Sequence, residues 1–139
     1  MNKLGVAVLG ATGAVGQKFV RLLADHPWFR VSELVASERR AGERYGDSVA
    51  WKQETGIPRE AADIRLKSLQ DPLESRLLFS GLDSSVAGEA ESSYAAAGHL
   101  VVSNARNHRM DADVPLVIPE INGDHLTLLR SQTTWDSGG

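Results

Sequence analysis

The chain has no cysteine among its 139 residues. Disulfides, thiolate metal sites and a cysteine nucleophile are thereby excluded within it. Long apolar runs are also missing: a membrane-crossing helix needs about 18 or more consecutive apolar residues, and none occurs. Aromatic residues are only 6% and scattered, no basic stripe recurs, and the net charge is −3. These features give nucleic-acid binding no support. The first ten residues carry one lysine and run straight into a strand pattern, unlike a secretory signal, so a cytosolic location is expected. What is present is an ordinary globular composition, 42% hydrophobic and 24% charged, long enough for one domain with a real core.

Leu4 to Leu9 is a short apolar run ending at Gly10. Over residues 14 to 25, Val15, Phe19, Leu22 and Leu23 fall on one face at helical spacing, and His26-Pro27 stops the pattern. Residues 31 to 36 read as a second strand, which completes a βαβ unit of about 35 residues. A polar loop follows Ser37. Val49, Trp51, Ile64 and Leu66 are then assigned to short edge strands. Residues 76 to 82 read as a buried strand, 83 to 85 as a polar turn, 86 to 97 as a helix capped by Gly98, and 99 to 103 as a further strand. Residues 115 to 119 are short and extended, and 124 to 130 suggest a helix with Asp124 as N-cap. The tail from Ser131 carries no packing pattern. Alternating strands and helices predict an α/β fold, a doubly wound and mainly parallel sheet that binds ligands at the carboxyl ends of its strands.

The turn GATGAVG (residues 10 to 16) lies at such an end. Gly10 permits the tight turn, Gly13 lets a phosphate approach the backbone, and Gly16 lets the helix pack on the sheet. The amides from Thr12 through Ala14 to Val15 then face an anion at the helix N-terminus, with the Thr12 hydroxyl as a further donor. The G-x-x-G-x-x-G spacing is one residue longer at the front than the usual dinucleotide fingerprint, and such glycines also occur in purely structural turns. After the second strand, where an NAD site places an acidic residue, stand Ser37, Glu38, Arg39 and Arg40. Hydroxyl and guanidinium groups suit the 2′-phosphate of NADP. Glu38 keeps NAD open, and a solvated basic loop is the plain alternative.

Together with GATGAVGQ, LVASERRAG and SSVAGE, the stretch SNARNHRMDADVPLVIPEINGDH (residues 103 to 125) resembles the amino-terminal domain of aspartate-semialdehyde dehydrogenase, from about residue 3 to about residue 136. Related acyl-phosphate reductases, including N-acetyl-γ-glutamyl-phosphate reductase, share the turn but are less similar, and malonyl-CoA reductases of the same superfamily are the stronger alternative. The resemblance implies a Rossmann-like dinucleotide-binding domain spanning residues 1–139, without the family's catalytic and dimerisation domain. It implies NADPH-dependent reduction of an aspartyl phosphate, through a cysteine thioester, to aspartate semialdehyde. Thr12, Gly13, Ala14 and Val15 would hold the cofactor pyrophosphate, with Ser37 and Arg39 near the 2′-phosphate. Ser80 to Ser84 would line the cofactor path, and Asn104 would lie on the nicotinamide side. Arg109 would bind the substrate phosphate, with Glu120 and Asn122 towards the active site.

Plain readings stand beside these. Arg109 could pair with Asp111 or Asp113, Asn104 could cap a turn, and Glu120 could be a surface carboxylate. The four histidines are too irregularly spaced for a metal site. The chain departs from the family at Arg40, at Gly81-Leu82-Asp83 in place of Ala-Leu-Pro, and at Arg106 and Asn107. A carboxylate at position 83 is unfavourable beside a polyanionic cofactor unless it points away. The family's nucleophilic cysteine lies beyond the pattern seen here, so no catalytic residue is assigned and the chain alone is not expected to turn over. Small-molecule cofactor binding, without nucleic acid or membrane, is the expectation, with either a homodimer or association with a catalytic half. A stand-alone NAD(P)-binding sensor, a partner-binding module and a folded remnant that no longer binds are the other readings.

Overall fold

The computed structural model describes residues 2–134; Trp135 and the rest of the tail lie outside them. Four strands form one parallel sheet: β1 (Leu4–Leu9), β2 (Phe29–Val35), β3 (Leu77–Ser80) and β4 (Leu100–Ser103), in the order β2-β1-β3-β4. Five α-helices accompany them: α1 (Ala14–Leu23), α2 (Tyr45–Ser48), α3 (Arg59–Ala62), α4 (Ser84–Ala96) and α5 (Pro119–Asn122). This is a Rossmann-like α/β fold.

β1 sits in the middle, and Val6, Ala7, Val8 and Leu9 are all completely buried. A strand covered on both faces loses the polar-apolar alternation, which is why its sequence is continuously apolar. From β1 the chain crosses to β2 on one side, whereas β3 leads to β4 on the other. Right-handed crossovers in opposite directions must put their helices on opposite faces. Accordingly Val20 and Leu23 of α1 pack with Val6 and Val8, and Tyr94 of α4 packs with Ala7, Leu9 and Leu78. The direction reverses between β1 and β3, and the carboxyl ends of these strands are the ligand position of this architecture.

The rotation of α1 differs from the sequence reading. Its buried residues are Gly16, Gln17, Val20 and Leu23, whereas Val15 is exposed and Leu22 is 59% exposed. Gly16 fixes that rotation by touching the turn before it, and Gln17 is admitted because backbone groups satisfy its amide. The helix stops at Leu23, ahead of His26-Pro27, where Asp25 takes φ +55. Between residues 38 and 70 there are no edge strands at Val49 or Trp51, only isolated bridges from Val35 to Lys67 and from Arg44 to Arg65. Val49, Trp51 and Ile64 pack against the α1-side core as loop residues, and Leu66 is a buried member of it. α4 begins two residues earlier than expected, because Asp83 caps it. The helix expected at 124–130 is a run of 3-10 turns, Gly123–Ser131, following α5; Asp124 is therefore not its N-cap, and Pro119 opens the segment instead.

One polar knot secures β2. A bulge at Ser32 shifts the β1–β2 register and turns Glu33 inward. There its carboxylate accepts from Lys67 Nζ at 2.8 Å, the Glu74 amide at 3.0 Å and the Ser75 amide at 2.7 Å. Burial alone would raise its pKa, but the bonds from Lys67, Ser75 and the two amides outweigh burial and hold it at about 2.

Candidate functional site

The glycine turn and the end of β3 meet as bare backbone. Gly10 takes φ +72, a conformation that side chains resist. A Cβ on Gly16 would lie 2.0 Å from the Gly10 carbonyl oxygen, and one on Gly81 would lie 2.8 Å from the Gly16 nitrogen. Gly81, a departure from the family pattern, therefore fits this close approach. Gly13 is different: a Cβ there meets only the Gly10 oxygen at 3.5 Å, an ordinary contact, and its φ of −79 suits any residue. Nothing among the described residues requires glycine at 13.

The carbonyls of the turn are occupied from behind. Tyr45 donates its hydroxyl to Ala11 O at 2.8 Å, Gln17 Nε2 donates to Thr12 O at 2.9 Å, and the Gly13 amide donates to Gly10 O at 3.1 Å. The amides of Thr12, Ala14, Val15 and Gly16 have no acceptor among the described residues. Those of Ala14 to Gly16 are the orphan donors of the first turn of α1, where the helix dipole is positive. Such an arrangement accepts an anion.

At the carboxyl end of β2, Ser37 and Arg39 are exposed, and Ser37 makes no capping bond to the 3-10 turn Glu38–Arg40. Arg40 turns away: its Nη1 donates to the Ser48 carbonyl and, at 2.9 Å, to Ser48 Oγ. Of the two arginines only Arg39 presents a free guanidinium to solvent here.

At the end of β3, Ser80 is fully buried and its hydroxyl has no partner among the described residues. Strand alternation puts its side chain on the same face as Leu78, the α4 side, and the half-buried Gly81 and Leu82 follow it. Asp83 accepts from the Ser85 amide at 2.9 Å, capping α4. That bond, the Ser85 hydroxyl and nearby Arg106 together hold the carboxyl below its ordinary range. The carboxylate is thus turned onto its own helix. Asn107, another departure, donates to Ser84 O at 2.9 Å and fixes the loop after β4 on α4.

That loop places Asn104 and Arg109 side by side. The Asn104 amide donates to Ser80 O at 3.0 Å, and Arg109 Nη2 donates to Asn104 O at 2.7 Å. Arg109 pairs with neither Asp111 nor Asp113. Asp111 instead holds His108 Nδ1 at 2.7 Å and raises the histidine pKa. The side chain that caps the turn is Ser103, accepting from the Ala105 amide at 2.9 Å. Glu120 is exposed, whereas Asn122 is spent on its neighbours, accepting from Ile118 N and donating to Leu116 O. Among the described residues no group of three His, Asp or Glu side chains converges.

Two residues of this site were absent from the sequence reading, Gln17 and Tyr45. Each had a signal: Gln17 interrupts an apolar helix face, and Tyr45 is the lone aromatic in a polar loop.

Residues 5–129 match the family described as semialdehyde dehydrogenase, NAD binding domain. A curated aspartate-semialdehyde dehydrogenase of Archaeoglobus fulgidus is 48% identical over 96% of this chain. A malonyl CoA reductase (NADP) of Metallosphaera sedula is 40% identical over 93% of it. The crystal structure of aspartate semialdehyde dehydrogenase with NADP from Candida albicans superposes with a TM-score of 0.89 at 41% identity, covering 99% of this chain. The chain spans 40%, 36% and 40% of the lengths of these three proteins, respectively.

Proposed function

The chain belongs to the semialdehyde dehydrogenase NAD-binding domain family, and from that membership we propose that it is the NADP-binding portion of an aspartate-semialdehyde dehydrogenase. One observation carries the reading. The glycine turn has its carbonyls tied back and its amides free, beside a position 13 that the protein itself does not need to be glycine. The residues fit a dinucleotide phosphate on those grounds. Thr12, Gly13, Ala14, Val15 and Gly16 would hold the pyrophosphate, and Gly10 shapes their turn. Ser37 and Arg39 would take the 2′-phosphate, which favours NADP over NAD. Asn104 would flank the nicotinamide, and Arg109, with guanidinium donors to spare, would receive the substrate phosphate. When bound, the cofactor supplies or accepts the hydride.

No nucleophile is assigned to these residues. Catalysis is proposed to require a thiol-bearing part, on the same polypeptide or another, packed against the edge of β4. Val102, Leu116, Ile118, Ile121 and Leu126 are exposed along β4 and the segment that follows it, an unusual apolar run for a free surface. A homodimer through further residues is part of the same proposal. We place the protein in the cytosol; among the described residues no helix is long and apolar enough to cross a membrane.

Fluorescence titration with NADPH and NADH tests the cofactor assignment. Tighter NADPH binding is expected, and equal affinity sinks it. A chimera in which residues 1–139 replace the matching part of the Archaeoglobus relative tests competence. It should reduce NADP when given aspartate semialdehyde and phosphate; a folded, inactive chimera would mean a decayed site. The Metallosphaera relative favours a second reading, a portion of a malonyl-CoA reductase. Fusion to that relative's remainder, assayed with malonyl-CoA, separates the two by which chimera reaches its parent's rate.

A further inference from the structure

We propose that Tyr45 and Gln17 are positioning residues, a buried brace that aims the phosphate-binding amides and ties them to the loop carrying Arg39. The proposal rests on the NADP reading above. A trans peptide points its C=O and its N–H in opposite directions, and all peptide bonds among the described residues are trans. Tyr45 is wholly buried and draws Ala11 O inward at 2.8 Å. The N–H of the same peptide belongs to Thr12, so it is driven outward, and no acceptor meets it within the described residues. Gln17, 2% exposed, draws in the next carbonyl, Thr12 O. Without these donors the two peptides could rotate a carbonyl toward an incoming phosphate.

The brace extends beyond the turn. Gln17 also donates to Ala50 O at 3.1 Å and accepts from the Lys52 amide at 2.8 Å, and Trp51 meets the Tyr45 ring edge-on at 6.4 Å. Ser48, in the same short segment, receives Arg40 from the loop that carries Ser37 and Arg39. Residues 45–52 therefore register the pyrophosphate amides against the 2′-phosphate loop. Arg40 supports its neighbour Arg39 from behind without touching the ligand.

Tyr45→Phe removes the hydroxyl and keeps the ring. Calorimetric titration compares NADP+ with adenosine 2′-monophosphate, which lacks any phosphate for the turn. Losing one aiming hydrogen bond of about 1 kcal/mol predicts NADP+ binding weakened about fivefold, with adenosine 2′-monophosphate unchanged. Tyr94→Phe is the control, a buried tyrosine whose hydroxyl reaches Leu69 O at 3.4 Å on the opposite face; it should bind both as the wild type does. Unchanged NADP+ affinity in Tyr45→Phe overturns the proposal, and so does equal weakening of both ligands, the mark of a merely structural role. If the wild type itself binds no NADP+, the functional reading fails instead. A measurement without a variant covers the case where Tyr45→Phe does not fold. In 15N-labelled wild type, NADP+ should move the Thr12 amide strongly and leave the Ala11 amide, bonded to Val35 O at 2.9 Å, nearly still. A silent Thr12 amide refutes the aim.

Discussion

Gly13→Ala and Gly16→Ala are the same chemical change three residues apart, and the structure predicts opposite consequences. At 16 the new methyl would stand 2.0 Å from Gly10 O, 2.6 Å from its carbonyl carbon and 2.8 Å from Ala11 Cα, all backbone. No rotamer relieves this; α1 or the turn must move by more than 1 Å, at the upper end of the roughly 1–3 kcal/mol that overpacking costs. For a domain of this length about 3 kcal/mol lowers the melting temperature by about 10 °C. At 13 the methyl meets one atom at 3.5 Å with an unstrained φ. The preference for glycine over alanine at an N-cap and the reduced entropy of the unfolded chain oppose each other and leave a net change of about 0.5 kcal/mol. Yet the methyl stands where the phosphate would reach the amides, so NADP binding should fall by about 2 kcal/mol or more, roughly thirtyfold. Thermal melts and NADPH titrations on both variants decide it. Wild-type affinity in Gly13→Ala means the turn holds no phosphate, and wild-type melting in Gly16→Ala means that the close contact is wrong.

Glu33 sets an acid limb. Its pKa drops from 4.5 to about 2 on folding, so its stabilisation is complete above about pH 4.5 and disappears as pH falls through 2; 2.5 units correspond to about 3 kcal/mol. Urea unfolding at pH 7, 4 and 3 should show that loss, and Glu33→Gln should be less stable at pH 7 with a flatter acid limb; parallel pH profiles would refute the knot. Arg39→Ala should narrow the NADPH preference over NADH about tenfold, the worth of a charge-assisted hydrogen bond, measured by paired titrations. Arg40→Ala should change that ratio less than Arg39→Ala does; the reverse order would place the wrong arginine on the phosphate. Asp83→Ala should lower the melting temperature, with Asp83→Asn restoring it as an alternative cap, while NADP affinity stays put. A rise in affinity on removing the carboxylate would show that it faces the ligand after all.

The amino-acid sequence by itself determined the four strands, the crossovers at α1 and α4, the glycine turn and the family resemblance. These are set by local patterns: short apolar runs for the strands, unbroken in the doubly covered β1, helical periodicity, and glycine where backbones must touch. The roles of individual side chains were decided elsewhere. Which face of α1 goes inward depends on Gly16 meeting Gly10 across the turn. The resemblance points to Arg39 over Arg40, but only the position of Ser48 shows where the Arg40 guanidinium goes. Asp83 reads as an electrostatic fault until α4 begins above it and takes its carboxylate as a cap. Tyr45 acts across 34 residues. Such partners are chosen by the closing of the fold, because a hydrogen bond has a direction and a length that residue order alone does not encode.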